Sequence, residues 1–180
     1  MKELLRQVKF LFKYASMLLI SSGFMLGGMY FSSFQNKKTD IINDILLMLS
    51  VTETQLRYAC LPVADLMRIL CETEKLSALP FLRLCKDKLH KNESFPEAWK
   101  KSIEECGDLC RLLGNHKDYL IRLGSDIGAT DLEGQLSCCE YYKQIFKKEL
   151  AAREEISKKY SKVFPALGLM LGVSAAIIII

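Results

Sequence analysis

The sequence predicts an all-α fold: an antiparallel bundle of about six helices set between an N-terminal and a C-terminal transmembrane helix. Three observations lead there. Apolar residues recur at steps of three and four through most of the chain, and no stretch sustains the alternation of a half-buried strand. Two long runs, Tyr14 to Phe34 and Val163 to Ile180, carry no charged residue. Each approaches the roughly 20 residues that a helix needs to cross the hydrocarbon core of a bilayer. Between the runs, proline, glycine and Ser/Thr punctuate the helical pattern at short intervals, as in a bundle with short loops.

The elements follow in chain order. Residues 1–13 form a short basic amphipathic tail. Residues 14–34 are the first span. Its apolar run is longer than the core of a cleaved signal peptide and lacks a small-residue cleavage site, so a retained anchor is expected. A soluble helical domain covers residues 39–162, and residues 163–180 are the second span. Within the domain, Ile41, Ile42, Ile45, Leu46, Leu49 and Leu56 form a helical stripe that Pro62 ends. Val63, Leu66, Met67 and Leu70 begin a short second helix. Ser77 and Pro80 introduce a third with Phe81, Leu82, Cys85 and Leu89. Ser94-Phe-Pro-Glu97 has the form of a capping box, in which serine and glutamate each satisfy an orphan N–H. It opens a helix with Ala98, Trp99, Ile103 and Cys106. Gly107 and Gly114 break the pattern that continues with Leu109, Leu112, Leu113, Tyr119, Leu120 and Leu123. A second capping box, Thr130-Asp-Leu-Glu133, then starts the longest amphipathic run. Leu132, Leu136, Cys139, Tyr142, Phe146, Leu150, Ile156, Tyr160 and Val163 lie mostly on one face, with a gap at Arg153. Glu140, Lys147, Lys148, Glu154, Lys158 and Lys162 lie opposite. This helix runs directly into the second apolar run, so a long soluble helix continuous with a membrane span is expected.

Composition agrees. The chain of 180 residues is 50% hydrophobic with a mean hydropathy of +0.12, and the two uncharged runs hold the excess. The net charge of +4 is equally local. Residues 39–160 hold 18 Lys/Arg against 20 Asp/Glu, while seven cations face one anion elsewhere. A basic balance confined to the flanks of apolar runs indicates a lipid bilayer as partner and argues against a nucleic-acid face. The positive-inside rule, applied to Lys37, Lys38, Lys158, Lys159 and Lys162, puts the domain in the cytosol, with the basic N-terminal tail counting the other way. Seven scattered cysteines make a poor disulfide framework and suit a reducing compartment.

No catalytic constellation stands out. His90 and His116 are isolated, no phosphate-binding or nucleophile-elbow motif occurs, and the pairs Glu104-Glu105 and Glu154-Glu155 lie on solvated faces. The chain reads as a non-enzyme with no cofactor and no metal. Cys106 and Cys110 are the one pair at near-helical spacing, interrupted by Gly107, and read better as small buried hydrophobes. Trp99 reads as a core anchor, and of Tyr141 and Tyr142 one should face the core and the other solvent. In the apolar runs, Gly23 and Gly27, and Gly168 and Gly172, have the small-x-x-x-small spacing that lets membrane helices pack closely. Pro165 can kink the second span near its start.

Leu123-Gly124-Ser-Asp126-Ile-Gly128-Ala-Thr-Asp131-Leu-Glu-Gly134-Gln135, followed by a charged helix and a terminal apolar run, resembles the stage III sporulation protein AB family of endospore-forming bacteria. Arg57-Tyr58, Leu61-Pro62 with Ala64, and Phe95-Pro-Glu97-Ala98-Trp99 add to the resemblance, which covers most of the chain. The sequence departs from it in its seven cysteines and in Thr54-Gln55 before Leu56. The resemblance implies similarity to the inner-membrane platform protein of type II secretion systems. It further implies a structural role in the channel between mother cell and forespore, in the mother-cell membrane around the forespore. The implied partners are other stage III sporulation proteins, including a secretion-type ATPase on the cytosolic side, with room for a homo-oligomer. Two other readings are a membrane-anchored adaptor of a regulatory or signalling complex and a redox or metal sensor.

Overall fold

A computed structural model describes the backbone of residues 2–59 and 62–179, and the side chains of 22, 23, 30, 33–59, 62–156 and 158. Among the described residues there is no strand. Seven α-helices follow one another: α1 (Lys2–Ala59), α2 (Val63–Glu72), α3 (Phe81–Leu89), α4 (Phe95–Glu105), α5 (Gly107–Leu113), α6 (Lys117–Asp126) and α7 (Leu132–Ile179). Single 3-10 turns at Glu74–Leu76 and Gly114–His116 join α2 to α3 and α5 to α6. The structure is thus an all-helical bundle.

The chain divides into two compact units. One is Lys37–Arg153, and the other combines Met1–Asn36 with Glu154–Ile180. The helices α1 and α7 contribute to both. Among the described residues no helix is long and apolar enough to cross a membrane. Most side chains of the two apolar runs, 14–34 and 163–180, lie outside the described residues, as do those of Gly27, Pro165, Gly168 and Gly172.

The unit of residues 37–153 is built around one contiguous apolar core. The α1 stripe delivers Ile42, Ile45, Met48 and Leu49 to it, and Leu56 is buried further along the same helix. These positions recur every three or four residues, so they share one helix face. Helix α2 adds Leu66, Met67 and Leu70, α3 adds Phe81, Leu82 and Cys85, and α4 adds Ala98, Trp99 and Ile103. From α5 and α6 come Leu109, Leu113, Leu120 and Leu123, and from α7 Tyr142 and Phe146. Cys139 is buried on the same α7 face.

The helix boundaries have local causes. Pro62 precedes α2 with φ −56° and ψ 150°, a conformation that proline's ring pre-sets and that cannot continue a helix. Between α4 and α5, Cys106 leaves helical geometry at ψ 73°, so the near-helical spacing of Cys106 and Cys110 spans a break. Gly114 adopts φ +58°, a backbone state open to glycine at no steric cost, and this separates α5 from α6.

The long α7 stripe holds in its middle and fails at Leu132 and Ile156, while the side chains of Tyr160 and Val163 lie outside the described residues. Cys139, Tyr142 and Phe146 are buried, but Leu132 is 40% exposed and Ile156 is 43% exposed. Leu132 is the first residue of the helix, and Ile156 lies past the limit of the core-bearing unit. Neither has core to cover it. The gap at Arg153 is filled by charge: its Nε lies 2.5 Å from Glu149 Oε1, one turn earlier on the same helix.

Candidate functional site

The segment from Leu123 to Gln135 turns the chain from α6 into α7, and the packing fixes almost every step of that turn. It begins at Trp99. This indole is 1% exposed. Its Nε1 donates a 2.8 Å hydrogen bond to the carbonyl of Leu120, and its ring meets Phe81 edge-on at a centroid distance of 5.0 Å. One turn after Leu120, Gly124 lies against the same indole. A Cβ at Gly124 would stand 2.2 Å from Trp99 Cδ1, closer than any real contact, so only glycine allows α6 to approach α4 this closely.

Two residues on, Asp126 ends α6 and reaches across to α7. Its Oδ2 accepts a 2.7 Å hydrogen bond from the Tyr142 hydroxyl and a 3.7 Å contact from the Cys138 thiol. Ile127 is buried beneath the turn. Gly128 has φ +82°, the left-handed region that favours glycine, and a Cβ there would stand 3.3 Å from Val63 Cγ2 at the start of α2.

Helix α7 is then capped by Asp131. Its Oδ1 accepts a 3.0 Å hydrogen bond from Gly134 N, the third residue of the helix and the usual target of an N-cap side chain. The capping box expected at Thr130 and Glu133 is therefore displaced by one residue. Thr130 contributes its backbone carbonyl, which accepts from Gln135 Nε2 at 2.9 Å. Glu133 is exposed in the first turn, where its charge complements the helix dipole. A Cβ at Gly134 would come within 2.7 Å of Thr130 Oγ1, so a larger residue there would have to displace the Thr130 and Asp131 side chains.

The box expected at Ser94 and Glu97 is half realised. Ser94 is the N-cap of α4, but its side chain makes no capping hydrogen bond. Pro96 occupies the second helical position and removes one of the N–H groups that a serine caps. Glu97 sits in the first turn as a dipole partner only.

A second set of contacts ties α1 to α7 beside this corner. The Glu53 carboxylate is gripped by Lys143 of α7 and, at 2.9 Å, by Arg57 of its own helix. These hydrogen bonds, that of Lys143 first, hold its pKa below the usual carboxylate range. Lys143 is itself buried.

The electrostatics around the corner favour the protonated forms of its thiols and of Tyr142. Burial, then the Asp126 charge, pushes the Cys138 thiol up to about 12. Burial lifts Cys139 to about 11 and Cys85 to about 12. Tyr142 is raised by burial and then by its bond to Asp126. Thiols raised this far are not thiolates at neutral pH, and the thiolate is the nucleophile and the metal ligand. The six described cysteines are unpaired in disulfides, and among the described residues no three His, Cys, Asp or Glu side chains converge as a metal site.

Of the packing glycines expected in the apolar runs, only Gly23 is described, and a Cβ there would meet nothing within 4 Å. The sequence reading missed the structural work of Asp126, Glu149 and Arg153. A charged pair four residues apart, placed at the gap in an apolar stripe, was the available signal for the last two.

The corner therefore coincides with the segment that carries the family resemblance: Leu123, Gly124, Asp126, Ile127, Gly128, Asp131, Gly134 and Gln135 each have a defined partner or backbone state. The family model for stage III sporulation protein AB matches residues 13–180. The chain belongs to that family. Its role accordingly lies in sporulation. No curated protein and no solved structure matches this stage III sporulation AB chain significantly.

Proposed function

We propose that this family member is a non-enzymatic structural subunit of the mother cell–forespore channel. It would be anchored by membrane helices at residues 14–34 and 163–180 in the mother-cell membrane around the forespore. Its helical domain, residues 39–162, would face the cytosol as a secretion-platform-like docking surface for a secretion-type ATPase and for other stage III sporulation proteins. The observation that carries this reading is the family match, which runs through both apolar runs and the whole helical unit between them. The corner supports it. Its polar groups are occupied in holding α6, α7 and α1 in fixed register, and its thiols are held protonated. That suits a scaffold better than a reactive centre.

The test is a deletion of the gene in the sporulating host, combined with affinity purification of the intact chain. Deletion should block sporulation after engulfment, and purification from sporulating cells should recover channel proteins including the ATPase. Normal spore formation in the deletion strain would refute the proposal. Recovery of a lone regulatory protein would replace it with an adaptor role.

A further inference from the structure

Tyr119 of α6 and Tyr141 of α7 are 37% and 58% exposed, and contacts within the bundle hold both rings at the seam between these helices. Tyr119 lies against His116, with ring centroids 5.9 Å apart, and His116 Nε2 is 3.4 Å from Glu149 Oε2 on α7. Tyr141 meets the buried Tyr142 edge-on at 5.2 Å, and the Tyr142 hydroxyl reaches Asp126 at the end of α6. The two exposed rings thus mark opposite ends of one seam. Residues 116 and 126 pair with 149 and 142, so the helices run antiparallel here, and the two ends lie about 10 Å apart along α7.

Two cations belong to the same strip of surface. Arg122 follows Tyr119 by three residues and precedes Asp126 by four, so the three share one face of α6. Lys148 follows Tyr141 by seven, so these two share one face of α7, a single position to the side of Tyr142 and Glu149. Both cations are exposed, and neither makes an ion pair among the described residues. The carboxylates of the seam are engaged already, Asp126 by Tyr142 and Glu149 by His116 and Arg153. Arg122 and Lys148 are left as its unmatched charges.

A single exposed aromatic is ordinary on a protein surface. Here two are restrained by ring contacts, and Tyr and Arg are the residue types that anchor protein–protein contacts, since they bury a large area at low entropic cost. Charge then selects the occupant. Two unmatched cations favour an anionic partner, and apolar anchors about two turns apart match side chains at i and i+7 of an amphipathic helix.

We propose that the α6–α7 seam docks an acidic amphipathic helix of a partner protein, with Tyr119 and Tyr141 receiving its two apolar side chains and Arg122 and Lys148 its carboxylates. This rests on the docking role above and gives that role a surface and a partner chemistry.

The experiment uses the intact chain in sporulating cells, with the photo-crosslinking residue p-benzoylphenylalanine in place of Tyr141. Mass spectrometry identifies the peptide that becomes linked. It should come from another protein, carry an excess of Asp and Glu, and place apolar residues two helical turns apart. Arg122→Glu with Lys148→Glu should lower the yield of this adduct at least about tenfold, and Lys substitutions at the acidic positions of the linked peptide should restore it. Both cations are exposed, so the melting temperature of the doubly reversed chain should equal that of wild type. Should it fall, Lys148→Glu alone should still lower the adduct yield by roughly threefold.

A linked peptide of neutral or basic composition, or a lipid adduct, would overturn the proposal. So would a linked peptide of this chain itself, which would mark a contact between copies. A yield indifferent to charge reversal, or no adduct at all, would do the same. The gene deletion described above separates the two levels of inference. Normal sporulation with the acidic adduct still formed removes the channel role and leaves the docking surface, whereas a sporulation block without the adduct removes only the surface.

Discussion

The Tyr142 hydroxyl donates a 2.7 Å hydrogen bond to the Asp126 carboxylate, joining the last residue of α6 to the third turn of α7. The two residues are 16 apart, and the chain between them contains the turn at Gly128 and the Asp131 cap. A charged acceptor makes such a bond worth about 1.5–3 kcal/mol. Tyr142→Phe should therefore destabilise the fold by about 1–2 kcal/mol, and Asp126→Ala by a similar amount. The double variant should cost less than the sum by about 1 kcal/mol. A double-mutant cycle from chemical denaturation measures this coupling, and strict additivity would show that the bond contributes nothing net.

Gly124 and Gly107 make a contrasting pair. Both lie in helices, where alanine is intrinsically favoured by up to about 1 kcal/mol. At Gly107 a Cβ would meet nothing within 4 Å. Gly107→Ala should thus be neutral or stabilise by a few tenths up to about 1 kcal/mol. At Gly124 the new methyl group would strike the Trp99 ring, and that ring is held by Leu120 and Phe81. Gly124→Ala should destabilise by about 2–3 kcal/mol through overpacking. Thermal melts of the two variants should move in opposite directions or differ by several degrees.

The start of α7 separates two neighbouring residues. Asp131→Ala removes the acceptor of Gly134 N and should cost about 1 kcal/mol. Thr130→Ala leaves intact the backbone carbonyl that Gln135 uses, and it should cost clearly less. Equal losses would mean that the threonine hydroxyl takes over the cap in solution.

This shift of one residue shows what the sequence could reveal and what it could not. Helix identity was legible because burial imposes a period: the stripes of α1, α2 and α3, and the buried face of α7 at Cys139, Tyr142 and Phe146, follow from apolar spacing alone. The break at Cys106 was legible from Gly107. The cap was not, because Thr130-x-x-Glu133 and Asp131-x-x-Gly134 are offset by one position and only hydrogen-bond geometry decides between them. The reason for Gly124 was not legible either. Its constraint comes from Trp99, 25 residues earlier, and no local pattern encodes a contact between α4 and α6. The role of Asp126 was not legible either, because its partner Tyr142 lies 16 residues away on another helix.

The clamp on Glu53 predicts a pH dependence. Hydrogen bonds from Lys143 and Arg57 hold the folded carboxylate below its usual pKa, so folding favours the ionised form. The stabilisation is complete above the unfolded value of about 4.3 and is lost as pH falls below it toward the lower folded value. Wild-type stability should therefore decline in that acid range, and Glu53→Gln should lower stability at neutral pH while flattening the decline. Melting temperatures of both proteins across the acid range test this, and parallel curves would assign the acid sensitivity to other carboxylates.

The last prediction concerns the apolar runs. If Gly23 and Gly27 pack against Gly168 and Gly172 in the bilayer, a large side chain at Gly168 should push the helices apart. The core-bearing unit ends at Arg153, 15 residues before that glycine, so its stability should not change. Gly168→Leu should therefore reduce recovery of partner proteins in a pull-down by roughly tenfold, with the core still melting at the wild-type temperature. Wild-type recovery with this variant would mean that the small residues serve no packing role. A lowered core melting temperature would instead show that the second apolar run contributes to the stability of the bundle.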